Sequence, residues 1–209
     1  MSANGGGERV LVSYLTLRRV VGILGVLLPV LLALGCLVFG SCAELRNSIS
    51  DYYGTEMRDV FVGILFAIGW FLFSYRGYDR KDDIAGTLAC LFALGVALFP
   101  ATSESKAIRT AHFLSAAALF LVLSCFSLYL FRKTKPGVPP TPQKVWRNRI
   151  YMACGVIMLA CIASVAVYLR FLQDTSVAAI KPVFWLESLA LWAFGWSWFV
   201  KGETLLRDA

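Results

Sequence analysis

Six uncharged apolar runs divide the chain, at residues 20–43, 60–75, 84–103, 110–131, 150–169 and 182–200, the last interrupted only by Glu187. A helix of roughly 20 apolar residues spans the hydrocarbon layer of a bilayer, and shorter runs cross with trimming or tilt. The pattern predicts an all-α, polytopic membrane protein, a bundle of six transmembrane helices. The second run is the shortest, at 16 residues and about 24 Å of helix. Its first turn is therefore expected to draw Arg58 and Asp59 to the membrane boundary.

No connection between the runs is long enough to bury a core of its own. The expected organisation is one membrane domain over residues 18–201, a short cytoplasmic tail over 1–17 and a second over 202–209. Ser2 to Glu8 reads as a disordered tail. Between the fourth and fifth runs, Pro136, Pro139, Pro140 and Pro142 exclude a continuous helix across 133–144. That stretch reads as a stiff basic linker.

Small residues suggest how the helices pack. Ala85, Ala89, Ala93 and Ala97 repeat every four positions and form one narrow face on the third run, which places that helix at the centre of the bundle. Gly22, Gly25, Gly63 and Gly69 offer less regular points of close approach. On the sixth run, Trp185 near one end and Trp196 and Trp198 near the other suit interfacial aromatic belts, with Trp192 between them.

Composition agrees with the pattern: 58% of the 209 residues are hydrophobic. The formal charge of +7 does not indicate nucleic acid, because the basic residues occupy short connections rather than an aromatic-laced polar face. Their distribution is informative. Arg9, Arg18 and Arg19, then Arg76, Arg80 and Lys81, then Arg132, Lys133, Lys135, Lys144, Arg147 and Arg149, and finally Lys201 and Arg207 lie on one side of the runs. These are fourteen of the 20 Lys and Arg residues. Only Arg46, Arg58, Lys106, Arg109, Arg170 and Lys181 fall on the other. The positive-inside rule then places both termini in the cytoplasm and the 48–57 connection outside. The expected location is the bacterial cytoplasmic membrane. Arg18 and Arg19 also resemble the start of a signal peptide, but the run after them exceeds a signal core, so a retained anchor is expected.

The six cysteines, Cys36, Cys42, Cys90, Cys125, Cys154 and Cys161, contain no CxxC pair. They read as small buried hydrophobes rather than as a disulfide framework or a zinc site.

Glu187 is the sharpest chemical signal. An isolated carboxylate inside an apolar helix must pair, protonate or face a polar cavity. The charge pattern sets Asp59, His112 and Glu187 at similar depths near the outer side, beside Ser48, Ser50, Asp51 and Tyr52. The ligand-binding candidates are Tyr53, Glu56, Arg58, Asp59, His112 and Glu187. Arg58 is a candidate partner for Glu187 or for an anionic lipid head, and Thr55 or Ser50 for the cap of the second helix. Catalytic candidates are Ser50 as nucleophile, with Ser48 beside it, His112 as base and Asp59 as orienter. Asp59, His112 and Glu187 also offer the one nitrogen and two carboxylates of a divalent-metal site; no other cofactor is indicated.

Segment 52–63, Tyr-Tyr-Gly-Thr-Glu-Met-Arg-Asp-Val-Phe-Val-Gly, resembles small multi-pass bacterial membrane proteins, as do 96–100, Val-Ala-Leu-Phe-Pro, and 191–195, Leu-Trp-Ala-Phe-Gly. That resemblance covers most of 48–203 and implies a membrane bundle without an activity. More distantly, Ser50, Asp59 and His112 resemble part of the pattern of the alkaline ceramidase and progestin-receptor-like membrane hydrolases, which implies Ser, Asp and His grouped around a metal.

The first functional expectation is an integral membrane protein whose outward-facing polar site binds, or helps to transport, a lipid headgroup, small solute or ion. A complete secondary transporter is disfavoured, since no paired repeats are evident. The alternatives are a membrane-embedded hydrolase at the outer leaflet and an accessory subunit. Expected partners are membrane lipid, a small solute or ion, and a further copy or a partner membrane protein, with no nucleic acid.

Overall fold

Each apolar run forms a helix, in which the backbone N–H and C=O groups of one segment satisfy each other. The computed structural model describes residues 4–39, 42–75, 77, 79–134, 137 and 139–203, with side chains from residue 14 onward. Six helices follow in order: α1 (Asn4–Val38), α2 (Arg58–Phe73), α3 (Arg80–Leu98), α4 (Lys106–Cys125), α5 (Pro142–Phe171) and α6 (Pro182–Lys201). A π turn at Phe126–Leu130 prolongs α4, and 3₁₀ turns occupy Ser50–Gly54 and Ser176–Ile180. Among the described residues there is no strand.

Four segments are long and apolar enough to cross a membrane: Tyr14–Val38, Lys106–Leu130, Pro142–Phe171 and Pro182–Lys201. α2 has only 16 residues, and α3 opens on Arg80, Lys81, Asp82 and Asp83.

The helix ends follow local chemistry. Asp79 and Asp82 form a reciprocal capping box at the start of α3, satisfying backbone donors that the first turn leaves open. Pro142 begins α5 rather than breaking it, because the first helical position needs no N–H. Thr141 caps that helix by accepting the Lys144 N–H at 3.1 Å. Residues 4–8 are helical, contrary to the disordered tail expected there. They extend a long established helix, where each added residue gains a hydrogen bond without a new nucleus. Ser2 and the tail positions 204–209 lie outside the described residues.

The helices form a ring. α2 packs on α3, α3 on α4, α4 on α5 and α5 on α6, while α1 joins α6 to α2. α3 is consequently one member of the ring, between α2 and α4, and not its centre. Its Ala89, Ala93 and Ala97 are buried, and a Cβ built at Gly69 of α2 would sit 3.5 Å from the Cβ of Ala93. Ring closure depends on Gly22 and Gly195. A Cβ at Gly22 would lie 2.8 Å from the Gly195 carbonyl oxygen, and one at Gly195 would lie 2.6 Å from that of Gly22.

Aromatic rings fill the basic end of the bundle. Trp198 is fully buried, with ring centroids 5.2 Å from Phe131, 5.3 Å from Tyr75 and 5.8 Å from Phe126. This corrects its expected place in an interfacial belt. Trp198 shares an inward face of α6 with Leu191, Phe194 and Gly195 at three- and four-residue spacing, whereas Trp185 and Trp196 are exposed.

A second correction concerns sulfur. Cys36 and Cys42 form a disulfide, with Cα atoms 5.3 Å apart. The chain turns back just beyond α1, so two cysteines six positions apart return to bonding distance, without the CxxC spacing that sequence inspection seeks. Cys90, Cys125, Cys154 and Cys161 are free thiols.

Candidate functional site

The connection between α1 and α2 folds back into the end of the bundle opposite Arg18 and Arg19. Ser48 and Asp51 brace its 3₁₀ turn reciprocally. The Ser48 N–H donates to Asp51 Oδ2, and the Asp51 N–H donates to Ser48 Oγ, both at 3.1 Å. Tyr52 is fully buried and packs on Phe184, with centroids 6.4 Å apart. Burial raises the Tyr52 hydroxyl above its ordinary pKa, because the phenolate would lose hydration.

Three ties hold this segment to the start of α6. The Phe184 N–H donates to the Asn47 carbonyl at 2.9 Å. The Ile49 N–H donates to Glu187 Oε2 at 2.7 Å. Lys181 Nζ pairs with Glu44 Oε2 at 2.7 Å and donates to the Leu45 carbonyl. The hydrogen bond from Lys181 holds the Glu44 carboxyl below its usual range. Lys181 itself has φ 53, a left-handed conformation unusual for a side-chain-bearing residue and maintained by such over-determining contacts.

His112 on α4 is buried. Its Nδ1 lies 2.7 Å from the Phe99 carbonyl oxygen, and its Nε2 lies 2.9 Å from Ser50 Oγ. A carbonyl only accepts, so Nδ1 carries the proton. In the neutral imidazole Nε2 is then an acceptor, and Ser50 Oγ–H donates to it. Phe99 ends α3, where helical carbonyls lack intrahelical donors, so the ring also satisfies a helix terminus.

Ser50, His112 and Glu187 are thus brought to one end of the bundle from three different elements. The other expected residues are placed elsewhere. Asp59 is exposed on the first turn of α2, and the orienting contact to His112 comes from a backbone carbonyl instead. Arg58 stacks 4.8 Å over the Tyr53 ring and donates to the Tyr53 hydroxyl at 3.2 Å; it does not pair with Glu187, whose oxygen takes the Ile49 N–H. Glu56 is exposed. Thr55 Oγ1 takes the Met57 N–H at 3.1 Å, while Ser50 serves His112 rather than a helix cap. Among the described residues, no three of His, Cys, Asp and Glu gather to hold a metal, so Asp59, His112 and Glu187 do not form a ligand set.

Sequence reasoning placed Asp51 at the shared depth without giving it a role, and it missed Lys181. Asp51 lies within electrostatic reach of the His112 ring, and Lys181 lines the same chamber as Ser50. The Ser48-x-x-Asp51 spacing was a usable signal for a braced turn. The Phe99 carbonyl carried none, since every residue has one.

Two spaces meet at this end. A polar chamber of about 310 Å³ is bordered by Ser48, Ser50, Asp51, Gln173, Lys181 and Glu187. An apolar cleft of about 220 Å³ runs between α4, α5 and α6, bordered by Ala117, Phe120, Ile162, Ala166 and Leu186. Phe113, Leu169 and Glu187 line both.

The chain matches no protein-family model, no curated protein and no solved structure.

Proposed function

We propose that this protein is a six-span membrane protein that takes up an amphiphilic, lipid-type molecule at its outward face. The observation that carries this reading is the shared border of the two spaces: Phe113, Leu169 and Glu187 wall both the polar chamber and the apolar cleft. A headgroup fits the first, where Asp51 and Lys181 supply charges of both signs and Ser48, Gln173 and Glu187 supply further polar groups. An acyl chain fits the second, whose walls offer dispersion contacts and few polar groups.

Outward exposure is supported by two independent features. Basic residues concentrate at the opposite end of the bundle. The Cys36–Cys42 disulfide lies at the same end as the chamber, and such bonds persist in oxidising compartments. α2 and α3 count as crossings on this reading because each is a full member of the closed ring. The membrane is the bacterial cytoplasmic membrane, with both termini in the cytoplasm.

The test is native mass spectrometry of the purified full chain titrated with lysophosphatidylethanolamine, against glycerophosphoethanolamine as the headgroup without its chain. A one-to-one complex with the lysolipid is expected, and A117W, which fills the cleft, weakens it by at least about tenfold, the equivalent of 1.4 kcal/mol. Equal binding of the chainless headgroup, or lysolipid binding unchanged in A117W, would overturn the reading.

A further inference from the structure

We propose that Ser50 and His112 are a nucleophile and its general base, and that they transfer the acyl group of a carboxylic ester to water. This rests on the amphiphile reading above and names the bond that the site would act upon.

Geometry supplies the argument. A serine hydroxyl is a weak nucleophile unless a base takes its proton. Here Nε2 lies 2.9 Å from Oγ, within the range for such a transfer. The Phe99 carbonyl at 2.7 Å holds the ring in the tautomer whose free lone pair faces the serine. Asp51, in the same 3₁₀ turn as Ser50, lies within electrostatic reach of the imidazole. Ser50 borders the polar chamber, and its low exposure shields the reaction from bulk water. A purely structural serine on an apolar bundle most simply bonds a backbone carbonyl on its own helix, as Ser188 does to Phe184 at 2.7 Å. Ser50 instead reaches across 62 positions of sequence to the single histidine of the chain.

The reaction balances without a co-reactant other than water. Ser50 Oγ bonds to the ester carbonyl carbon as its proton passes to His112 Nε2, and the carbonyl electron pair moves onto its oxygen. Collapse of the tetrahedral species breaks the bond to the alcohol oxygen, which takes the proton from Nε2 and departs. A chamber water then gives a proton to Nε2 and bonds to the acyl carbon. The Oγ–carbon bond breaks, and Oγ recovers its proton. Ester and water become carboxylic acid and alcohol. The acyl chain would lie in the cleft between α4, α5 and α6, with the scissile carbonyl at the border with the chamber.

The experiment treats the full chain in lipid nanodiscs with a fluorophosphonate bearing a ten-carbon alkyl chain, maps the adduct by peptide mass spectrometry, and measures lysophosphatidylethanolamine binding on the same preparation. The expected result is an adduct on Ser50, none in S50A, and labelling slowed by at least about 100-fold in H112Q. Lysolipid binding without a Ser50 adduct would overturn the catalytic proposal and leave the binding reading standing. Loss of both results would overturn both. Unchanged labelling in an H112Q protein that still binds the lysolipid would remove histidine as the base. Should H112Q fail to fold, folded wild-type protein is compared with the heat-unfolded chain. Reaction at Ser50 in the folded state alone supports the pair, whereas equal reaction in both overturns it.

Discussion

The Glu187 carboxylate accepts the backbone N–H of Ile49 at 2.7 Å, joining residues 138 positions apart in sequence. A carboxylate placed early in an apolar helix thereby gains a donor, and a buried amide in the 42–57 segment gains an acceptor. The bond also holds the residue immediately before Ser50, so Glu187 contributes both to anchoring the 42–57 segment and to the geometry of its polar end.

Removing that side chain should therefore destabilise the fold. Glu187→Ala leaves the Ile49 N–H buried without its acceptor, at a cost of about 1–3 kcal/mol. Glu187→Gln keeps an acceptor oxygen and should lose less. Thermal unfolding of both variants in detergent, followed by circular dichroism, measures the difference; equal losses would mean that the bond contributes little.

Ring closure makes a contrasting prediction for two glycines. At Gly195 a methyl group would meet the Gly22 carbonyl oxygen at 2.6 Å, whereas at Gly63 it would meet nothing within 4 Å. Gly195→Ala should destabilise by about 1–3 kcal/mol through forced separation of α1 and α6. Gly63→Ala should be neutral, or stabilise by up to about 1 kcal/mol through helix propensity. Reversal of this order in the same unfolding assay would contradict the close crossing of α1 and α6.

The Lys133 ammonium lies 3.0 Å from both Asp79 and Asp82, which gives stability a two-sided pH dependence. The hydrogen bond from Lys133 lowers the Asp79 pKa from its ordinary 3.8. Desolvation opposes the charge on Lys133, but the hydrogen bonds to Asp82 and Asp79 prevail and raise its pKa above 10.5. A lowered carboxyl pKa stabilises above its unfolded value and loses that effect as pH falls through the folded one; a raised lysine pKa stabilises below its unfolded value and loses that effect as pH rises through the folded one. The difference in melting temperature between wild type and Lys133→Met should be greatest between these limits and shrink beyond each. A difference independent of pH would rule out this linkage.

Sidedness is tested through sulfur. If the Cys36–Cys42 bond faces outward, a membrane-impermeant reductant followed by an impermeant maleimide should add two labels to the protein in intact cells, and omitting the reductant should prevent it. Labelling that appears only after the cells are opened would reverse the orientation.

Apolar runs and charge placement were enough to read the helices and their order, and to gather Ser50, His112 and Glu187 near one end. Those properties are local, since hydrophobicity decides which segments leave water, and adjacent lysines and arginines mark the ends of each segment. Asp59 shared the expected depth but projects outward, while Asp51, eight positions earlier, comes within electrostatic reach of His112. Depth along a helix can be read by counting residues, whereas lateral position cannot. Hydropathy and charge along the chain sufficed to locate the six apolar helices and to divide the basic residues between their ends, though not to extend α1 back to residue 4. That α6 closes on α1, that Cys36 meets Cys42, and that His112 lies between a backbone carbonyl and Ser50 emerges only in the folded chain, because those relationships arise from close packing and from main-chain atoms that every residue shares.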